Sequence, residues 1–227
     1  MWTHLKRHRL LTSAALAVLL LASVGAKEPA KSEKAAPPER ALRVAVMPIV
    51  NGSPEIGATK IMEDILREQF QEFPAERATF LKPSDTERLL ADRNELGRAY
   101  TLNDRWSKYG TLDTTAVSGL DSLLMVDAIL CVRVAEWENV RVNVVGRGES
   151  NSTVGLQFAL YDLKSMKKTW SKEPREQRFA HEVDPTSGSV TYDETGYIQS
   201  RGVTDPPRLE DVANDLVRTA FKKFPRK

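Results

Sequence analysis

Within its 227 residues the chain holds one cysteine and three histidines, and these scarcities exclude a good deal of chemistry. With Cys131 alone, no disulfide can close within the chain. His4 and His8 lie near the amino terminus, so beyond it only His181 remains, and no multi-histidine or Cys–His set for zinc or iron can be assembled. Aromatic residues make up only 7%, no basic stripe is interleaved with them, and no block of about five like charges occurs. The electrostatic footprint of a nucleic-acid-binding protein is therefore missing. No apolar run reaches the roughly 20 residues needed to cross a bilayer as a helix.

What is present begins at the amino terminus. Lys6, Arg7 and Arg9 precede an apolar stretch from Leu10 to Ala22, and Val24-Gly25-Ala26 offers a small-residue cleavage site. This order predicts a signal peptide over 1–26, cut before Lys27, and a protein that works in the periplasm or is secreted. Three of the 33 Lys and Arg fall in that segment, so the remainder has a formal charge of −1 against its 31 Asp and Glu. From Lys27 to Arg40 the chain has Pro29, Pro37 and Pro38, small residues and mixed charge, with too little apolar surface to offset its ordering entropy. The expectation is a disordered linker over 27–40 and a single domain over 41–227.

Periodicity supplies the elements of that domain. Arg43 to Val50 is β-branched and suits a buried strand, and Asn51-Gly52-Ser53-Pro54 turns the chain. Ala58, Ile61, Met62, Ile65, Leu66, Phe70 and Phe73 mark one face of a helix. A short strand at Ala78 to Leu81 follows, then a helix opened by a capping box, Ser84 to Glu87, and running to about Leu96. Leu112 to Leu124 predicts a third helix, with Asp113 as its cap and Gly119 as its weak point. Three β-rich runs, Asp127 to Trp137, Val140 to Gly146 and Thr153 to Leu163, predict an antiparallel meander, with an edge strand at Lys167 to Ser171. Cys131 sits among strand formers and reads as a buried, inert thiol. Glu173 to Thr204 is polar and reads as a surface excursion carrying at most a small hairpin. Leu209 to Phe224 is the most regular helical pattern, with Asp205 as cap, Pro206 in the first turn and Lys222 and Lys223 at the far end.

Val44 to Glu55, Val126 to Leu130 entering a strand, and Leu160-Tyr161-Asp162-Leu163 followed by Thr169-Trp170-Ser171 resemble the TolB amino-terminal-like and CsgG-like bacterial envelope proteins. Within that group the chain is most similar to a lipoprotein family of unknown function. The resemblance covers about residues 43 to 172. It implies an α/β sandwich with a mixed, largely antiparallel sheet and a carboxyl-terminal helix packed on it. It also implies work in the periplasm or at the periplasmic face of the outer membrane, with peripheral membrane association, and no known reaction. Lys27 stands where those lipoproteins carry their acylated cysteine, a departure from the family pattern.

The search for chemistry assigns no catalytic residue, no cofactor and no metal. Gly146-Arg147-Gly148 joins two strands rather than a strand and a helix, so it lacks the setting in which glycine amides cradle a pyrophosphate. Asn51-Gly52-Ser53 does join a strand to a helix, but turn formation accounts for those residues. The reading reached is a non-catalytic envelope protein that binds or helps assemble other envelope proteins. Arg178, Phe179, Tyr192, Tyr197 and Ile198 are the candidate partner-binding residues, as aromatic, aliphatic and arginine anchors on a segment the core does not need. Two alternatives stay open, an oligomeric CsgG-like outer-membrane secretion subunit and an envelope hydrolase using carboxylates or His181.

Overall fold

A computed structural model describes residues 40–141, 150–180, 191–192, 198–200 and 205–225. The signal peptide expected over 1–26, nearly all of the linker, Gly146-Arg147-Gly148, His181 and Tyr197 lie outside the described residues.

The backbone is organised around one long antiparallel hairpin, β4 (Ala128–Val140) and β5 (Asn151–Asp162). Each strand is flanked along its length by two shorter ones. On the β4 side, β1 (Leu42–Val46) runs parallel to its first residues and β2 (Val50–Asn51) parallel to Arg133 and Val134, while β3 (Ala78–Leu81) pairs parallel with β1. On the β5 side, β6 (Lys167–Lys172) and β7 (Arg175–Phe179) follow one another antiparallel along the same edge. The result is a mixed seven-stranded sheet, antiparallel through its centre. Separately, β8 (Thr191–Tyr192) and β9 (Ile198–Ser200) pair as a two-stranded sheet.

Strand alternation assigns each side chain to a face. Val44, Val46, Leu130, Val132, Leu156, Phe158 and Leu160 point to one side, where α1 (Ala58–Glu72) and the carboxyl-terminal α6 (Leu209–Phe221) cover them. Ala45, Met47, Ile129, Cys131, Ala159 and Tyr161 point to the other, beneath α2 (Pro83–Ala91), α3 (Leu96–Tyr109), α4 (Thr114–Val117) and α5 (Leu120–Leu124). The expected α/β sandwich is thus a sheet with helices on both faces, α6 packed on it.

Several local readings need correction. Of the three expected runs, the first continues as β4 to Val140 through a bulge at Ala135 and pairs antiparallel with the third, while the second, Val140 to Gly146, lies outside the described residues beyond Arg141. The extra residue at the bulge changes the parity of the strand, so Trp137 turns to the same side as Val134 and is 3% exposed. The capping box at Ser84 does not form: Lys82 is the cap, Pro83 occupies the first turn, and no side chain bonds to the cap amides. Helix α3 was not anticipated. Between Leu112 and Leu124 two short helices replace one, parted at Gly119, which has φ +79°, while Asp113 caps α4 by accepting from the amides of Thr115 and Ala116 at 2.9 and 3.3 Å. Helix α6 is capped at Arg208, so Asp205 and Pro206 precede it. Arg175–Phe179 is sheet rather than surface excursion.

Cys131 is fully buried, and desolvation pushes its thiol well above the ordinary range. A small disulfide reagent is expected to leave Cys131 untouched in the native protein and to modify it completely in denaturant. Full modification at the native rate of a free thiol would contradict this burial.

Candidate functional site: the bare end of the hairpin

Beyond the Ala135 bulge the helices among the described residues cover only one side of the sheet, and on the other side Thr153 is nonetheless 5% exposed. Trp137 and Val154 still pack with α6, and Ser152 donates from its hydroxyl to the Pro207 carbonyl just ahead of that helix. The opposite face carries Glu136, Glu138 and Val140 from β4, Asn151, Thr153 and Gly155 from β5, and Arg175, Gln177 and Phe179 from β7, by register and parity. Among the described residues no helix lies over it. Val140 and Phe179 are 45% and 46% exposed and both lie opposite Asn151, one on each neighbouring strand. Asn151 separates the two, and polar and charged groups fill the adjoining rows. Arg175 Nε donates to both carboxylate oxygens of Glu136 at 3.0 Å, and Gln177 Nε2 donates to Asn151 Oδ1 at 3.1 Å.

Of the residues expected to bind a partner, Phe179 belongs to this face. Arg178 points to the other one, where Nε and Nη2 donate to Glu176 Oε1 at 3.0 and 2.8 Å and Nη2 to Asp215 Oδ2 of α6 at 3.0 Å. Its guanidinium links β7 to the helix layer. Tyr192 and Ile198 are register partners across β8 and β9. Sequence reasoning missed Val140, Gln177 and Arg175, although the alternation Arg175, Gln177, Phe179 was a strand signal.

Where the bare face meets the helix layer, a cleft of about 170 Å³ lies between the end of α3 and the sheet, lined by Trp106, Ser107, Arg133, Gln157, Lys168 and Glu173 among others. Arg133 spans its floor. Nη1 donates to the Ser107 carbonyl at 3.2 Å and contacts Gln157 Oε1 at 3.5 Å, and Nε has no partner among the described residues. The Nε and Nη2 edge lies beneath Gly52, where a Cβ would stand 2.8 and 2.9 Å from those atoms. The turn above is held by Asn51, whose Oδ1 accepts from the Ser53 amide and hydroxyl at 2.9 and 2.8 Å and whose Nδ2 donates to the Glu55 carbonyl at 2.8 Å. Turn geometry and close packing therefore account for Asn51-Gly52-Ser53. Tyr161, buried behind the cleft with its hydroxyl on the Gly110 carbonyl at 3.1 Å, is pushed up to about 12 by desolvation and stays protonated. Among the described residues no group of three His, Cys, Asp or Glu could hold a metal ion, and no helix is long and apolar enough to cross a membrane.

No protein-family model matches the chain, and no curated protein matches it. Among solved structures it is similar to lipoprotein GNA1162 from Neisseria meningitidis, at 17% identity and a TM-score of 0.40, over 64% of this chain and 88% of that one. It is also similar to PelC from Paraburkholderia phytofirmans, solved as a dodecamer, at 14% identity and a TM-score of 0.44, over 84% and 94% of the two chains. A third is the carboxyl-terminal domain of LpoB from Salmonella enterica, at 12% identity and a TM-score of 0.35, over 63% and 88%.

Proposed function

We propose that the chain is an exported, non-catalytic envelope protein of the TolB amino-terminal-like and CsgG-like kind, and that it binds another envelope protein through the bare face of β4, β5 and β7. The observation that carries this reading is that Val140 and Phe179, half-exposed on either side of Asn151 in the last row of the sheet, stand beside Glu136, Glu138, Arg175 and Gln177 on a face that no helix covers among the described residues. Exposed apolar anchors beside polar and charged groups are common in protein interfaces. The signal peptide expected over 1–26 supports a partner in the periplasm or at the periplasmic face of the outer membrane.

The test uses the protein in living cells, with a photo-crosslinker at Glu138, away from the β7 edge. One envelope protein should be captured reproducibly. Replacing Val140 and Phe179 together by Ser should lower that capture about tenfold or more, since burying each such side chain is worth roughly 1.5 to 3 kcal/mol. The same change should leave the melting temperature almost where it was, because both groups are solvated in the free protein. Capture that is unaffected by the paired substitution would overturn the reading.

A further inference from the structure

The outer edge of β7 is open among the described residues, and its hydrogen-bonding pattern is determinate. The Leu156 amide donates to the Pro174 carbonyl at 2.9 Å and the Ala180 amide to the Ser150 carbonyl at 2.8 Å. In an antiparallel ladder bonded and non-bonded pairs alternate, so Glu176 and Arg178 face Val154 and Ser152 with their amides and carbonyls. Arg175, Gln177 and Phe179 consequently turn theirs outward. The neighbouring edge strand β6 is guarded by the exposed Lys167 and Lys168, whereas β7 has no lysine.

The order of residues on β7 is complementary to its own reverse, Glu176 falling opposite Arg178. We propose that β7 pairs antiparallel with β7 of a second copy of this chain, about a twofold axis passing between the two Gln177 residues. The outward groups of Gln177 then bond to those of its counterpart, and Arg175 and Phe179 to each other across the axis. On the bare face a guanidinium lies beside a phenyl ring at either end, with two amide side chains between them. On the helix face Glu176 stands opposite Arg178 twice over. Shifting the axis by one residue sets Glu176 against Glu176, or Arg178 against Arg178, so like charges penalise the neighbouring registers. The occupant is thereby a second copy in one register, an isologous contact of the commonest symmetry. The axis is perpendicular to the sheet, so both bare faces lie on the same side. This inference goes beyond the proposed partner binding and does not depend on it.

Sedimentation of the purified protein, as cells produce it and without any partner, tests the pairing. The unchanged protein should be a dimer in equilibrium with monomer. Gln177→Pro removes an outward amide that β5 does not use, so the fold and melting temperature should persist while the dimer is lost. Glu176→Arg and Arg178→Glu should each raise the dimer dissociation constant about tenfold. Mixed in equal amounts these two variants place unlike charges opposite one another again, and a heterodimer of the original affinity should form. A monomer in every case, a dimer indifferent to Gln177→Pro, or a mixture no tighter than its components would overturn the proposal.

Discussion

Replacing Phe221 by Ala is expected to lower the stability of the domain by about 3 to 5 kcal/mol and its melting temperature by roughly 6 to 20 °C. Phe221 is 2% exposed at the end of α6. Its ring meets those of Phe70, Phe73, Phe80, Phe158 and Trp170 edge-on at 5.8 to 6.2 Å and stacks on Phe224 at 5.3 Å. These partners come from α1 and the residue after it, β3, β5 and β6, so a single side chain ties the terminal helix to most of one layer. Removing it leaves a cavity walled by rigid rings, which collapse less readily than aliphatic chains, and the edge-on contacts add to the lost burial. Phe179→Ala is the control, since its ring is 46% exposed and its loss should change stability by no more than about 0.5 kcal/mol. Calorimetry on the two variants decides the matter. Equal, small shifts for both would show that the cluster does not hold α6 in place.

The same cluster shows what could be read from the residues alone. Helix α1, strand β3 and the register of apolar positions on α6 follow a single period without interruption, and there the expectation and the fold agree closely. Helix α3 carries the spacing Leu96, Ala99, Leu102, Trp106, but Asn103 sits buried within that stripe, donating to the Pro48 carbonyl at 2.6 Å where β1 breaks off before β2. A buried amide serving the backbone of a distant strand looks, in sequence, like a solvated residue that spoils the pattern. The Ala135 bulge is equally invisible, because a change of parity in β4 shows only when its partner strand is known. The site suffered from the same cause. Arg175, Gln177 and Phe179 alternate as a strand should, yet what makes them candidates for an interface is that no helix among the described residues covers the far half of the hairpin, a property of the arrangement and not of the segment. Arg178 illustrates the converse, since an arginine in a polar stretch reads as a free anchor until Asp215 of α6 is found beside it.

Gly52 should resist any side chain, and Gly52→Ala is expected to cost about 1 to 3 kcal/mol, measured as a shift in the urea midpoint with an unchanged slope. Its added Cβ would stand 2.8 Å from Arg133 Nε, 2.9 Å from Nη2 and 3.1 Å from the Val134 carbonyl oxygen. None of these can retreat freely. The Val134 carbonyl already accepts from the Gly52 amide at 2.7 Å, and Arg133 is held through Nη1 by the Ser107 carbonyl. Nor can the turn lift away, because Asn51 braces it to Ser53 and Glu55. Arg133→Ala by itself forfeits the hydrogen bond to α3 and the packing beneath the turn, at about 1 kcal/mol or more. If the close approach is the cause, the two changes are not additive. Once the guanidinium is gone the methyl group has space, and only the contact with the Val134 carbonyl remains to oppose it. The double variant should then be more stable than the sum of the single losses predicts, by about 0.5 to 2 kcal/mol. Strict additivity would mean that the Val134 carbonyl and not Arg133 opposes the side chain, and that the turn and the floor of the cleft are energetically independent.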